Sequence, residues 1–178
     1  MATKNHHDDP EVDTVQQEVL ITREFDAPRE LVFDMWTKPQ HLLRWYAPKD
    51  CSIEFRSIDV KEGGSFHSCI RNPEFGDCWC IGEYHEIKEP ERLVFSMEIA
   101  DEKGNRIPPV QAGHDTAWPS VTVVTVTFED LGGKTRLTLR QNVSAALAKK
   151  TGAYPSWIQM MDKLVENLQQ MMIVEMVK

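Results

Sequence analysis

Positive charge is in short supply in this chain of 178 residues: 20 Lys and Arg stand against 28 Asp and Glu, a formal net charge of −8. Binding to a phosphate backbone depends on clustered Lys and Arg releasing counterions, so no nucleic acid and no anionic membrane surface is expected as a partner. Long apolar runs are missing as well. None approaches the roughly 20 residues of a membrane span, and the opening M-A-T-K-N-H-H-D-D-P lacks the apolar stretch of a secretory signal, so a cytoplasmic protein is expected. The four cysteines, Cys51, Cys69, Cys78 and Cys80, form neither a C-x-x-C redox motif nor a usual zinc knuckle. They read as reduced thiols, with a metal held by Cys69, Cys78, Cys80 and His67 across a hairpin as the alternative. His41, His67, His85 and His114 show no ligand spacing of the H-E-x-x-H kind, so no metal is expected. Gly63-Gly64 and Gly132-Gly133 lack the strand-to-helix setting of a phosphate loop, so neither a nucleotide nor another cofactor is expected.

What is present is enough for one core. At roughly 150 residues per domain, the length and the 41% hydrophobic content predict a single domain over residues 18–178, behind a polar tail over residues 1–17. The tail has no apolar period with which to offset the entropy of ordering, and the exposed pair His6 and His7 in it reads as inert. Val19 to Phe25 is β-rich and stops at Asp26-Ala27-Pro28, where Asp26 or Ala27 can cap a helix and Pro28 suits its first turn. Leu31, Val32, Met35 and Trp36 then repeat at helical spacing; Pro39 restarts the chain, and Leu42, Leu43 and Trp45 give a second short helix.

Beyond Pro48 the period changes to that of strands. Ser52–Val60, Ser65–Arg71, Cys78–Ile87, Leu93–Ile99, Val121–Phe128 and Thr135–Gln141 are separated by turn residues such as Asn72-Pro73 and Gly132-Gly133, which predicts an antiparallel meander. Residues 101–119, with three prolines, two glycines and Trp118, form the longest loop. From about Tyr154 to Val177 an apolar stripe of Trp157, Met160, Met161, Leu164 and Leu168 predicts a long amphipathic helix. Strands in a run followed by a helix favour an α+β architecture, with a curved antiparallel sheet of about seven strands wrapped around the C-terminal helix and two short helices after the first strand.

Several short patterns then meet in order: F-D-A-P-R-E-L-V-F-D-M-W-T-K-P-Q-H-L-L-R-W-Y-A-P (25–48), D-V-K-E-G-G-S-F (59–66), G-E-Y-H-E-I-K-E-P-E-R-L-V-F-S (82–96), T-V-T-F-E-D-L-G-G-K-T-R-L-T-L (125–139), and Trp157 followed by Leu164. Together they resemble the family of homologues of the activator of heat-shock-protein-90 ATPase, over roughly residues 19–170. The chain departs from that pattern at Ser156-Trp157, where Gly-Trp is usual, and in the long 101–119 loop. The resemblance implies a START-like, Bet v 1-like helix-grip fold with a cavity between sheet and helix. That superfamily spans lipid and polyketide carriers, cyclases, hydrolases and chaperone activators, so fold alone does not choose a function.

Ligand sites of this type are apolar and concave, with few polar groups. Trp157, Met160, Met161 and Leu164 on the final helix, and Phe66, Tyr84, Phe95 and Met97 on the strands, are the candidate lining; ordinary core is the competing role for the helix residues. Trp36, Trp45 and Trp118 are candidates for the mouth, against a role as packing anchors. Glu86 falls on the Tyr84 face if the strand is regular and is the candidate polar contact; the alternative is a rim carboxylate paired with Lys or Arg. No nucleophile beside a base is visible, so no catalytic residue is assigned and an enzyme is the less favoured expectation. The expected function is binding of a small hydrophobic or aromatic molecule, lipid or polyketide-like. The alternatives are a protein-interaction module acting on a chaperone ATPase, and a cyclase or hydrolase using water held by Glu86. Monomer and homodimer both remain open, since edge strands can pair or be blunted.

Overall fold

The computed structural model describes residues 17–178, so the expected tail, with His6 and His7, lies outside the described residues except for Gln17, whose carbonyl accepts from Ala145 N at 2.7 Å. The elements are β1 (Glu18–Phe25), α1 (Arg29–Thr37), α2 (Pro39–Trp45), β2 (Ser52–Ile58), β3 (Ser65–Asn72), β4 (Gly76–Lys88), β5 (Arg92–Ile99), a 3-10 turn (Pro109–Ala112), β6 (Val121–Asp130), β7 (Thr135–Ser144), α3 (Ala145–Thr151) and α4 (Ala153–Met176). All seven strands form one antiparallel sheet in the order β1-β7-β6-β5-β4-β3-β2. Strands β2 to β7 therefore follow one another as neighbours, and α1 and α2 carry the chain from one sheet edge to the other. The expected helix-grip fold is what forms.

Local chemistry sets the boundaries. Pro28 stands at the capping position of α1, so the helix starts later than a cap at Asp26 or Ala27 would have it, and the Pro28 carbonyl accepts from Leu31 N and Val32 N at 3.1 Å. Lys38 is extended because it precedes Pro39, which opens α2. β7 runs on to Ser144, past the expected end at Gln141, and Ser144 Oγ caps α3 by accepting from Leu147 N at 3.3 Å. Gly152, at φ 86°, ends α3 and turns the chain into α4, a left-handed conformation that a side chain would strain.

The inner face of the sheet carries Phe66, Tyr84, Leu93, Phe95, Val124, Val126, Leu137 and Leu139, all buried, against Trp157, Met160, Met161, Leu164 and Leu168 of α4. Each fully buried Leu or Val there contributes about 1.5–3 kcal/mol. Bulges interrupt the pairing between Tyr84 and Glu86 and between Phe55 and Ser57, and such insertions bend and twist the strands that contain them.

The first of these bulges corrects the expectation for Glu86. With the extra residue after Tyr84, Glu86 pairs with Val94 and Ile87 with Leu93, so Ile87 takes the inward place and Glu86 turns outward. Its carboxylate accepts from Arg92 Nε at 2.9 Å in a half-exposed ion pair, the rim role weighed for it above.

Candidate functional site

Two spaces lie within the grip. The smaller, about 20 Å³, is enclosed by aromatic rings, among them Trp36, Tyr46, Phe66, Tyr84 and Phe95. The larger has a volume of about 1140 Å³, at or above the roughly 300–1,000 Å³ of most small-molecule sites. Its inner wall is made by Phe66, Met97, Trp157 and Met160; the β3–β4 hairpin tip, the segment Pro48–Cys51 and the 101–119 loop with Trp118 form its rims.

The candidate residues divide accordingly. Phe66 borders both spaces; Met97, Trp118, Trp157 and Met160 border the large one; Trp36, Tyr84 and Phe95 border the small one. Met161 and Leu164 face the interior at 0% exposure and border neither, so they are solid core. Trp36 and Trp45 are not at a mouth. They are buried in an aromatic cluster: Trp45 lies edge-on to Trp36 at 4.6 Å and donates Nε1–H to Met35 O at 2.8 Å, and Trp36 stacks on Trp157 at 6.4 Å. The cluster joins α1 and α2 to α4, which is the anchor role. Trp36 Nε1 is buried without a hydrogen-bond partner.

Phe66 reaches both spaces because β4 is bare beside it. Gly82 pairs with Phe66, and a Cβ at Gly82 would lie 2.3 Å from the Phe66 ring and 2.1 Å from Ser96 O. Only glycine leaves room for the ring to lie across the strand.

Three buried polar residues of the inner wall escaped the sequence reading: Ser68, 4% exposed on the Phe66 face of β3, and the pair Thr122 and Gln141. Thr122 and Gln141 are 2% and 3% exposed and border the large cavity. Gln141 Oε1 accepts from Trp157 Nε1 at 2.9 Å, and Gln141 Nε2 donates to Thr122 Oγ1 at 3.0 Å. Thr122 is the register partner of Met97, whose sulfur is 4.0 Å from Tyr46 Oη, and the Tyr46 ring meets Trp157 edge-on at 6.0 Å. These five side chains close a ring around the inner wall. The signal was available: Val124, Val126 and Phe128, like Leu137 and Leu139, fix which residues of their strands point inward, and that phase places Thr122 and Gln141 inside.

The thiols do not converge. Cys69 pairs with Trp79, whereas Cys78 and Cys80 pair with Ile70 and Ser68, so strand alternation puts Cys69 and His67 on one face and the other two on the opposite one. Among the described residues no cluster of three or more His, Cys, Asp or Glu side chains could hold a metal. Burial pushes the Cys80 thiol up to about 12 and raises Cys78 as well, so both sulfurs stay protonated near neutrality. Burial likewise holds the Tyr46 hydroxyl well above its ordinary range.

The rim is acidic. Asp50, Glu74, Asp77, Glu98, Asp101 and Glu102 border the large cavity, with Lys49 the one Lys or Arg among its described lining residues. The 101–119 loop is held in place by its own carboxylates. Asp101 Oδ1 accepts from Lys103 N and Asn105 N at 2.9 and 2.8 Å, and hydrogen bonding to Asn105 keeps its carboxyl below the usual range. Asp115 accepts from Ala117 N at 2.9 Å and pairs with Lys150 of α3 at 3.1 Å.

With this geometry in hand, comparison with known proteins is informative. The family model described as activator of Hsp90 ATPase homolog 1-like protein matches residues 26–169. Among solved structures, a protein from Arthrobacter aurescens aligns with a TM-score of 0.73 at 22% identity, covering 85% of each chain. One from Staphylococcus epidermidis aligns at 0.71 and 26% identity over 87% of this chain and 91% of its own. The AHSA1 protein from Silicibacter pomeroyi aligns at 0.68 and 19% identity over 86% and 99%. No functionally curated protein matches the chain. Among the described residues no helix is long and apolar enough to cross a membrane.

Proposed function

The chain belongs to the family of activator of Hsp90 ATPase homolog 1-like proteins, and from that premise we propose that it is a binding protein for a small hydrophobic or aromatic molecule. The observation that carries this reading is the cavity of about 1140 Å³ whose inner wall is Phe66, Met97, Trp157 and Met160. The two methionines can reshape the wall around different apolar bodies. A chaperone partner rests on the family's description. A cyclase or hydrolase reading relied on water held by Glu86 inside the cavity, and the outward turn of that residue to Arg92 removes its basis.

Native mass spectrometry of freshly purified protein, followed by denaturing extraction of any added mass, tests the proposal. Retention of a hydrophobic compound is the expected result. A clean mass in several preparations, together with no uptake of added apolar probes, would count against it.

A further inference from the structure

The inner wall of the large cavity offers hydrogen-bond donors that the protein does not use. Gln141 has two amide N–H groups, and one is taken by Thr122 Oγ1. Thr122 Oγ1 accepts that bond, and among the described residues its own proton has no acceptor. Tyr46 Oη has only the Met97 sulfur, at 4.0 Å, a weak acceptor. The acceptors of this group are already engaged, Gln141 Oε1 by Trp157 Nε1 and Thr122 Oγ1 by Gln141 Nε2. Three donors thus stand around one patch of apolar wall, each on a residue less than a tenth exposed.

Charge sets the second constraint. The only Lys or Arg among the described lining residues is Lys49, which is exposed, while six carboxylates surround the entrance. Arg71, Arg106 and Arg56 offset Asp77, Glu98 and Glu102, and among the described residues Asp50 and Glu74 have no such partner. An anion would pass an acidic rim and then be desolvated with no counter-charge, the costly way to bury a carboxylate or phosphate.

We propose that the inner end of the cavity recognises an uncharged amphiphile through a hydrogen-bond acceptor, a carbonyl, ester or hydroxyl oxygen on an apolar body, and discriminates against carboxylates and phosphates. The inference rests on the ligand-binding reading above. It makes Thr122, Gln141 and Tyr46 specificity-determining residues.

Three naphthalenes of similar shape separate the contributions: 2-acetylnaphthalene, which has the acceptor; 2-isopropenylnaphthalene, in which a methylene replaces the carbonyl oxygen; and 2-naphthoate, which adds charge. Dissociation constants are measured by equilibrium dialysis at pH 7.5. The ketone is expected to bind at least about tenfold more tightly than either of the others, because a site built to hydrogen-bond a group rejects the analogue without it. Thr122→Val is expected to bring the ketone-to-hydrocarbon ratio toward one, and Thr122→Ser, which keeps the hydroxyl, to preserve it. Thermal melts show whether each variant folds, and Tyr46→Phe reports on the same ratio if Thr122→Val does not. Equal binding of ketone and hydrocarbon overturns the acceptor claim, and naphthoate binding as tightly as the ketone overturns the charge claim. Binding of none of the three removes the ligand-binding reading and this inference together, whereas hydrocarbon uptake without ketone preference removes this inference alone.

Discussion

Met160 and Leu164 stand one helical turn apart on the same stripe of α4, yet they answer to different constraints. Met160 borders the large cavity, and Leu164 is fully enclosed. Met160→Trp is expected to project its ring into free volume and lower the uptake of an apolar probe several-fold, with little change in melting temperature. Leu164→Trp is expected to overpack the core, costing about 1–3 kcal/mol. Parallel thermal melts and probe titrations of both variants check the contrast; equal destabilisation by the two would contradict the placement of Met160 on a cavity wall. Nothing in the apolar stripe itself distinguishes the pair, because spacing reports which face is buried and not how far the opposite wall lies. The same limit explains Trp36 and Trp45, whose residue type suits a mouth as well as a core. Glu86 failed for another reason, a bulge that shifts the strand period by one. Its trace in the sequence is the neighbour Ile87, which strict alternation from Tyr84 would have left facing solvent.

At the scale of elements, the 101–119 loop shows how an irregular segment is held without a sheet or long helix. Asp101 and Asp115 fold it through their own neighbouring N–H groups, a short bridge pairs Ala100 with Arg106, and Lys150 ties it to α3. These Asx-type turns were hidden in the sequence among many polar residues, any of which could have served. His114 lies in this loop at the cavity rim, and burial lowers its pKa from 6.5. The unfolded chain therefore takes up a proton more readily than the native one. Stability supplied by the neutral ring is complete above about 6.5 and is lost as pH falls through that value toward the lower native pKa. The melting temperature of the wild-type protein is expected to drop more between pH 7.5 and 5.0 than that of His114→Gln. His41, also lowered by burial, contributes equally to both proteins and cancels in the difference. An identical fall in the two would show that the ring of His114 is as well solvated in the native loop as in the unfolded chain.

At the scale of the whole molecule, architecture was the most legible level. Strands β2 to β5, and then β6 and β7, follow one another by short turns, and the final helix carries one uninterrupted apolar stripe, so period and turn residues sufficed for those elements. The short helix α3 was not legible, because A-A-L-A-K-K offers little apolar period and its cap, Ser144, also ends a strand. Pairing order sets the way the molecule assembles. Strands β2 to β5 meet through successive local hairpins and β6 meets β7 through another, β5 reaches β6 across the 101–119 loop, and β1 must find β7 from the far end of the chain, with Phe25 opposite Thr135 and Val19 opposite Gln141. Contacts so distant in sequence form late, because loop-closure entropy opposes them. Ile21→Ala in β1 is expected to speed unfolding and leave the folding rate nearly unchanged, and Val126→Ala in β6 to slow folding; chevron plots of both decide, and a slowed folding limb for Ile21→Ala would place β1 in the nucleus instead. The same topology acts during synthesis. At about 5–20 residues per second, β1 is synthesised roughly 6–25 s before its partner strand has been made. Through that interval the nascent chain presents β1 as an unpaired strand, open to the quality-control machinery of the cell until β7 arrives to cover its edge.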